Sequence, residues 1–491
     1  MVSKGSATPN GAERSDGSRP RGALQRPSVA RHRRVVGNAR IFGVHAPWSL
    51  AVDDRGAFDW LLEGELGERM ACDGGDAVAR DWTGASRALE MSELESRRAV
   101  VWALTGASGD APPGGDGRLR IELERAPDGS PTALRYATQA GVETWRLEGA
   151  RSSAGWTPRR IAKVMGGVAV LEIDVREPWR DIGERLRLPP WTEPVDFGFE
   201  AAADTVLHTR TGPYGHLLVR ARLDRAPEGW YILDSGASNS AVTPEAARRV
   251  DLTEAGSGVV ASVMGTARAP IYRAGSLSVG PLTLRDPRLV GLDLAPFGDV
   301  FGVPVDGVLG FEVFRRARIR IAFAQPRISI HPSEPAPRGL AEGSPGSVAV
   351  GDSAATPEGP EPRWSPVSFN MQHPIVAGRI GESRALLRID IGMGGEVAAI
   401  MHPGALERLG VEASFDDERF PMGAGSARAG RVPAVELAGR RWEPAAIVLP
   451  DVENGVFHDP WVDATIGHGL LRAFDVTFDY PNARIGFAPA E

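Results

Sequence analysis

Along most of the chain, apolar residues recur at every second position or in short runs bounded by Gly, Pro, Asp and Ser. That pattern belongs to strands and tight turns. In RLRIELERAPDGS (118–130), Leu119, Ile121 and Leu123 alternate with charged residues before an Asp128-Gly129 turn signal. GGVAVLEIDV (166–175) reads as a further strand, and GASGDAPPGGDG (106–117) as a loop. The first 36 residues hold Gly, Ser, Pro and Arg without an apolar core, so 1–36 reads as a disordered tail. Residues 37–200 read as a β-rich N-terminal domain. Residues 334–363, rich in Pro, Gly, Ser, Ala and Glu, read as a linker between lobes at 201–333 and 364–491.

The segments on either side of that linker resemble each other. DGVLGFEVFRRARIRIAFAQPRISI (306–330) lies without a gap over DATIGHGLLRAFDVTFDYPNARIGF (463–487), with matching apolar positions. Upstream, HLLVRARLDRAPEGWYILDSG begins at His216 and HPIVAGRIGESRALLRIDIG at His373. Each is a strand, a turn and a second strand ending in Asp-x-Gly. The spacing to the later element is 306 − 234 = 72 in one copy and 463 − 390 = 73 in the other.

WYILDSGASNSAVTP (230–244) runs from a buried-strand pattern directly into a carboxylate. Burying a lone charge costs several kcal/mol, roughly, so Asp234 needs a partner. The duplicated pattern supplies one in Asp390. Two carboxylates facing each other cannot both ionise cheaply and share one proton. The ionised one can then take a proton from water while the other donates to a substrate carbonyl, which is general acid–base hydrolysis. Gly236 and Gly392 are expected to allow a sharp turn and expose amides to the carboxylates. The Ser235 hydroxyl is expected to bond across to the other lobe.

These residues carry a resemblance. DSGAS in a strand-turn context, followed by DGVLG and an apolar strand, resembles the retropepsin-like and pepsin-like aspartic proteases, and the tandem bacterial members more closely than pepsin. The resemblance covers roughly 201–333 and 364–491. It implies a mainly β protein with two retropepsin-like β-barrel lobes forming a pepsin-like pseudo-dimer, preceded by a separate β-rich domain. It further implies an aspartic endopeptidase acting on peptide or protein substrates through Asp234 and Asp390. Val308-Leu309-Gly310 and Ile466-Gly467 would pack behind the aspartates, and glycine-bearing flap hairpins around Gly265 and around Gly423 and Gly425 would cover the cleft.

The second copy departs from the pattern: it reads DIGMG, so Ile391 replaces the hydroxyl residue. Two readings stand. In one, Asp390 still shares the proton within a single chain, which the survival of Asp390 and Gly392 favours. In the other, the second lobe is degenerate and the protein binds peptide or lipid without catalysis, or acts only as a homodimer of first lobes. Met264 and Met422 near the flap tips would line the cleft or pack the hairpins. Asp306 and Asp463 are expected to cap turns, and Arg315 and Arg472 to face solvent or form ion pairs.

In the N-terminal domain, DGSPTALRYATQAG and TWRLEGAR faintly resemble LolA-like lipoprotein-carrier domains. The resemblance implies a curved sheet suited to lipid or lipoprotein contact; the other reading is a domain that only packs against the lobes. The formal net charge of −7 argues against a general nucleic-acid binder. The single cysteine, Cys72, is expected to be a buried small residue. The nine histidines show no metal-ligand spacing, and neither metal nor cofactor is implied. No apolar run is long enough to span a bilayer. Without a leader pattern the expectation is a cytoplasmic protein, or a cell-envelope one if an export signal precedes Met1.

Overall fold

The computed structural model describes residues 31–106, 112, 118–138, 141–153, 155–201, 205–262, 265–334, 362–423, 425–451, 455–457 and 459–490. Most of the tail, loop and linker segments, and Met264, lie outside them. The fold is mainly β. Among the described residues no helix is long and apolar enough to cross a membrane.

Among the described residues, the N-terminal domain forms one antiparallel sheet of eleven strands. Two meanders are joined where the first strand, His32–Ile41, pairs with the last, Val168–Ile182. Alternation sets the faces: Trp48, Leu50 and Val52 point inward from Val44–Asp53. The helix Met91–Leu104 buries its C-terminal half, Ala99 to Leu104, in the core of this sheet. Trp48, Trp60 and Trp145 stack edge to face there, with the Arg97 guanidinium 4.4 Å from the Trp60 ring centre. Cys72 is buried in the same core.

Two further sheets follow, referred to with their covering helices as the first and second lobes. In the first, Leu217–Leu223, Gly229–Leu233, Val305–Leu309 and Ala241–Val242 lie side by side in that order. In the second the order is His373–Ile380, Ser383–Ile389, Ala464–Ile466 and Ala399–Met401. The second and third strands of each set are parallel, with Leu233 opposite Leu309 and Ile389 opposite Ile466. Val305–Leu309 and Ala464–Ile466 are buried at every residue, as strands covered on both faces must be. Neither sheet closes into a barrel among the described residues. In the first lobe the edge hairpin, Thr253–Ser262 with Gly265–Arg273, turns to the N-terminal domain instead, and Ser257 N–H donates to the Phe42 carbonyl at 3.0 Å.

Among the described residues, a sheet of five strands belongs to both lobes. Arg318–Ala322 and Arg327–His331 of the first pair with Phe474–Asp479 and Arg484–Pro489 of the second, and Arg363–Pro366 closes one edge. Ile319 faces Phe478 and Ile321 faces Val476 across the seam, so a single core runs through both lobes.

Several expected boundaries move. The first strand starts at His32, inside the segment read as a tail, because Arg33 and Arg34 sit on a strand that continues into Val35 and Val36. Phe197–Phe199 pairs with Leu282–Leu284, so the first lobe begins before residue 201. Arg363 likewise lies in a strand and not in the linker. Asp306 and Asp463 cap no turn; they form ion pairs with the helix residues Arg249 and Arg408, respectively, in the two lobes. Arg315 and Arg472 both form ion pairs, as expected: Arg315 is buried, donates to the Ser86 carbonyl of the N-terminal domain and lies 3.7 Å from Glu193, whereas Arg472 pairs with Glu396 at the surface.

Candidate functional site

Asp234 and Asp390 end their strands in the same way. The Asp234 N–H continues the parallel ladder to the Leu309 carbonyl at 3.0 Å, and the Asp390 N–H to the Ile466 carbonyl at 2.9 Å. Each chain then folds back on its own carboxylate: Gly236 N–H donates to Asp234 Oδ1 at 2.7 Å and Met393 N–H to Asp390 Oδ1 at 3.1 Å. A carboxylate placed at the end of a buried strand is thereby oriented by backbone that cannot swing away.

The two turns interlock. A Cβ on Gly236 would fall 2.4 Å from Asp390 Cγ, and one on Gly392 would fall 2.4 Å from Asp234 Cγ. Neither glycine has a positive φ, so their requirement is space and not the sharp turn expected from the sequence. The carboxyls hydrogen-bond to each other while each keeps some solvent exposure. Burial pushes Asp234 well above the ordinary carboxylate range, and the neighbouring Asp390 charge pushes it further. Burial also raises Asp390, against the pull of the Arg388 guanidinium. A group so arranged can hold one proton between two oxygens and give it to a third.

Ser235 is buried and joins the lobes from one side. Its hydroxyl donates to the Ile389 carbonyl at 2.9 Å and accepts from Ile391 N–H at 3.1 Å. Ile391 returns no such bond; its side chain enters the shared core. Beneath the pair, the Tyr480 phenol is held protonated by burial and by the two carboxyls, and its ring packs on Phe311, Phe314 and Phe369.

The hairpins differ. The first, carrying Gly265 at the start of its return strand, lies against the N-terminal domain: Gly256 abuts Phe42 and Thr266 abuts Gly166. A cavity of about 230 Å³ between them is lined by Arg40, Phe42, Glu172, Ser257 and Arg268, away from the aspartates. The second, Ser414–Met422 with Gly425–Val432, turns at Gly423, where φ is 57°. Met422 beside that turn packs into a small apolar cluster that includes Met393 of the Asp390 loop.

Several site residues escaped the sequence reading. His216 and His373 start the two strand-turn-strand units and cross to the opposite loop. A Cβ on Gly394 would meet His216, and Ser238 Oγ lies 3.0 Å from His373 Nε2. Burial favours both rings neutral, His373 strongly. Their matching positions in the two aligned segments were the available signal. Arg388 was also missed. It is buried two residues before Asp390, where the first lobe has Ile232. A charged residue in an otherwise apolar strand run was its signal.

Residues 219–313 match the family model described as aspartyl protease. No curated protein matches the chain. The match begins in the strand Leu217–Leu223, contains Asp234, Ser235 and Gly236, and ends in the short helix after Gly310. It supports an aspartyl protease family for that segment and, at the level of the family, a protease-like function.

Proposed function

We propose that the chain is an aspartic endopeptidase whose two lobes, as a tandem pair, supply one carboxylate each, so that a single chain makes the site. The observation that carries this reading is the interlocked pair, with each carboxyl seated on the other lobe's glycine and hydrogen-bonded to its counterpart. Water held between the carboxyls would lose a proton to the ionised one as its oxygen attacks the peptide carbon. The protonated one would donate to the carbonyl oxygen as its double bond opens, giving a gem-diol with no covalent enzyme intermediate. Ser235 steadies the geometry through its two bonds to the second lobe. We read the N-terminal domain as a packing partner of the lobes, since the helix Met91–Leu104 and three tryptophans occupy its core.

Ile391 favours a second reading, a binding protein with a retired pair, because it removes one of the two hydroxyls expected between the lobes. The test is cleavage of a denatured protein at mildly acidic and neutral pH by the wild-type chain, Asp234→Asn and Asp390→Asn. Loss of about 100-fold or more in both variants is expected. Loss in Asp234→Asn alone would transfer catalysis to a homodimer of first lobes. Absence of cleavage by the wild type across varied substrates would favour the binding reading.

A further inference from the structure

The same ladder position is apolar in one lobe and charged in the other. In the first lobe Ile232 faces Val308 and both belong to an apolar cluster with Leu218, Ala241 and Phe301. In the second, Arg388 faces Thr465. Arg388 donates to Asp459 Oδ2 at 2.8 Å and to the Val456 carbonyl at 2.8 Å. Asp459 Oδ2 also accepts from Asn370 Nδ2 at 2.7 Å, and its other oxygen accepts from Trp461 N–H at 3.0 Å. Asn370 Oδ1 in turn accepts from the Ser92 hydroxyl at 2.5 Å and from Ser92 N–H at 3.2 Å, at the start of the N-terminal helix. Arg388, Asp459, Asn370 and Ser92 are all buried.

A buried ion pair with this many satisfied bonds is no gain in stability over an apolar filling of similar volume. The first lobe already has that filling. Arg388 lies two residues before Asp390 on a strand whose ladder Asp390 continues, so both side chains leave on one face. A guanidinium stays charged at every working pH. We infer that Arg388, held by Asp459 and Asn370, is a positioning residue that makes Asp390 the ionised and Asp234 the protonated member of the pair.

The inference rests on the hydrolase reading for its chemistry. It assigns roles within that reaction: Asp390 takes the proton from water, and Asp234 gives its own to the carbonyl oxygen. The other groups around Asp390 are Asp234 across the pair and Tyr480 beneath it. His373 lies against Ser238 and is disfavoured as a cation by the Arg388 charge, and His216 lies against the Gly392 backbone.

The test is a ¹³C-carboxyl NMR titration of the full-length chain, with the pair's signals assigned through Asp234→Asn and Asp390→Asn. It is read beside the pH profile of cleavage. Arg388→Met combined with Asp459→Asn removes both buried charges, so no lone ion is left to unfold the protein. In that double variant the lower carboxyl step should rise by about one pH unit or more, the size expected for losing a nearby opposite charge. The acid limb of cleavage should follow it. Asp459→Asn alone leaves Arg388 uncompensated and should move the same step downward. A merely structural ion pair would not produce shifts of opposite sign. A lower step that stays at its wild-type position in both folded variants overturns the inference. Carboxyl shifts of the expected signs without cleavage by any form would keep the Arg388 effect and sink the hydrolase reading. Cleavage with unmoved steps would do the reverse.

Discussion

The two lobes use one strand order to hold one kind of carboxylate, yet they surround it differently. In the first lobe the turn after the aspartate carries a hydroxyl, and the strand before it is backed by aliphatic side chains. In the second the turn carries an aliphatic side chain, and the strand carries the Arg388 guanidinium, bonded to Asp459, whose carboxylate also accepts from the Asn370 amide. Polar and apolar roles have been exchanged between equivalent places. The difference teaches that a matched pair of loops does not require matched surroundings, because the ladder bonds to Leu309 and Ile466 place both aspartates.

The largest stability effect should come from breaking the second lobe's polar backing on one side only. Arg388→Met leaves Asp459 buried without its cation and should cost about 3–5 kcal/mol in chemical denaturation. Adding Asp459→Asn should recover most of that loss. The equivalent first-lobe change, Ile232→Met, conserves volume and should cost less than about 1.5 kcal/mol. Equal losses for Arg388→Met and Ile232→Met would end the contrast.

Ser235→Ala strands two buried backbone groups of the second lobe, the Ile389 carbonyl and the Ile391 amide. A loss of about 1–3 kcal/mol is expected by urea unfolding. Ile391→Val removes one methyl group from the core and should cost only about 0.5–1.5 kcal/mol. A smaller loss for Ser235→Ala than for Ile391→Val would show that the one-sided hydroxyl contributes little to joining the lobes.

The pair also shapes stability with pH. Both carboxyls titrate above their unfolded values, near pH 4 or roughly so. Above that pH the native state holds more protons than the unfolded chain, so this contribution to stability falls as pH rises toward the folded-state values. Asp234→Asn removes both the burial of an ionisable carboxyl and its repulsion by Asp390. Its Tm should exceed that of the wild type at neutral pH, and the difference should vanish near about pH 3, where the wild-type pair is protonated. A difference that is constant with pH would mean that Asp234 titrates alike in the folded and unfolded chain. Burial of His373 acts in the other direction, with stability lost as pH falls below about 6.5, and should be common to both proteins.

Much of this organisation was legible in the sequence. Strands and turns follow from the period of apolar residues, so Asp234 and Asp390 could be placed at strand ends. Matching the two segments brought them forward as partners. What was not legible depends on distant contacts. The helix Met91–Leu104 buries every residue from Ala99 to Leu104, which leaves no amphipathic stripe to detect. Ser92 meets Asn370 across 278 positions, and no local pattern announces such a bond. The reach of the first hairpin to Phe42 was hidden for the same reason. Phe197–Phe199 is too short for its alternation to stand out from a loop.

The sheet shared by the lobes also has a consequence for biosynthesis. Arg318–Ala322 emerges from the ribosome with only Arg327–His331 beside it, and its other edge waits for Phe474–Asp479, with 155 positions separating Arg320 from Asp475. Contacts so distant in the chain are slow to form. An open edge is also a template for unwanted pairing until it is covered. The nascent chain therefore passes through a half-built stage in which Asp234 exists and Asp390 does not. Pairing with Phe474–Asp479 covers that edge and joins the lobes that carry the two carboxyls.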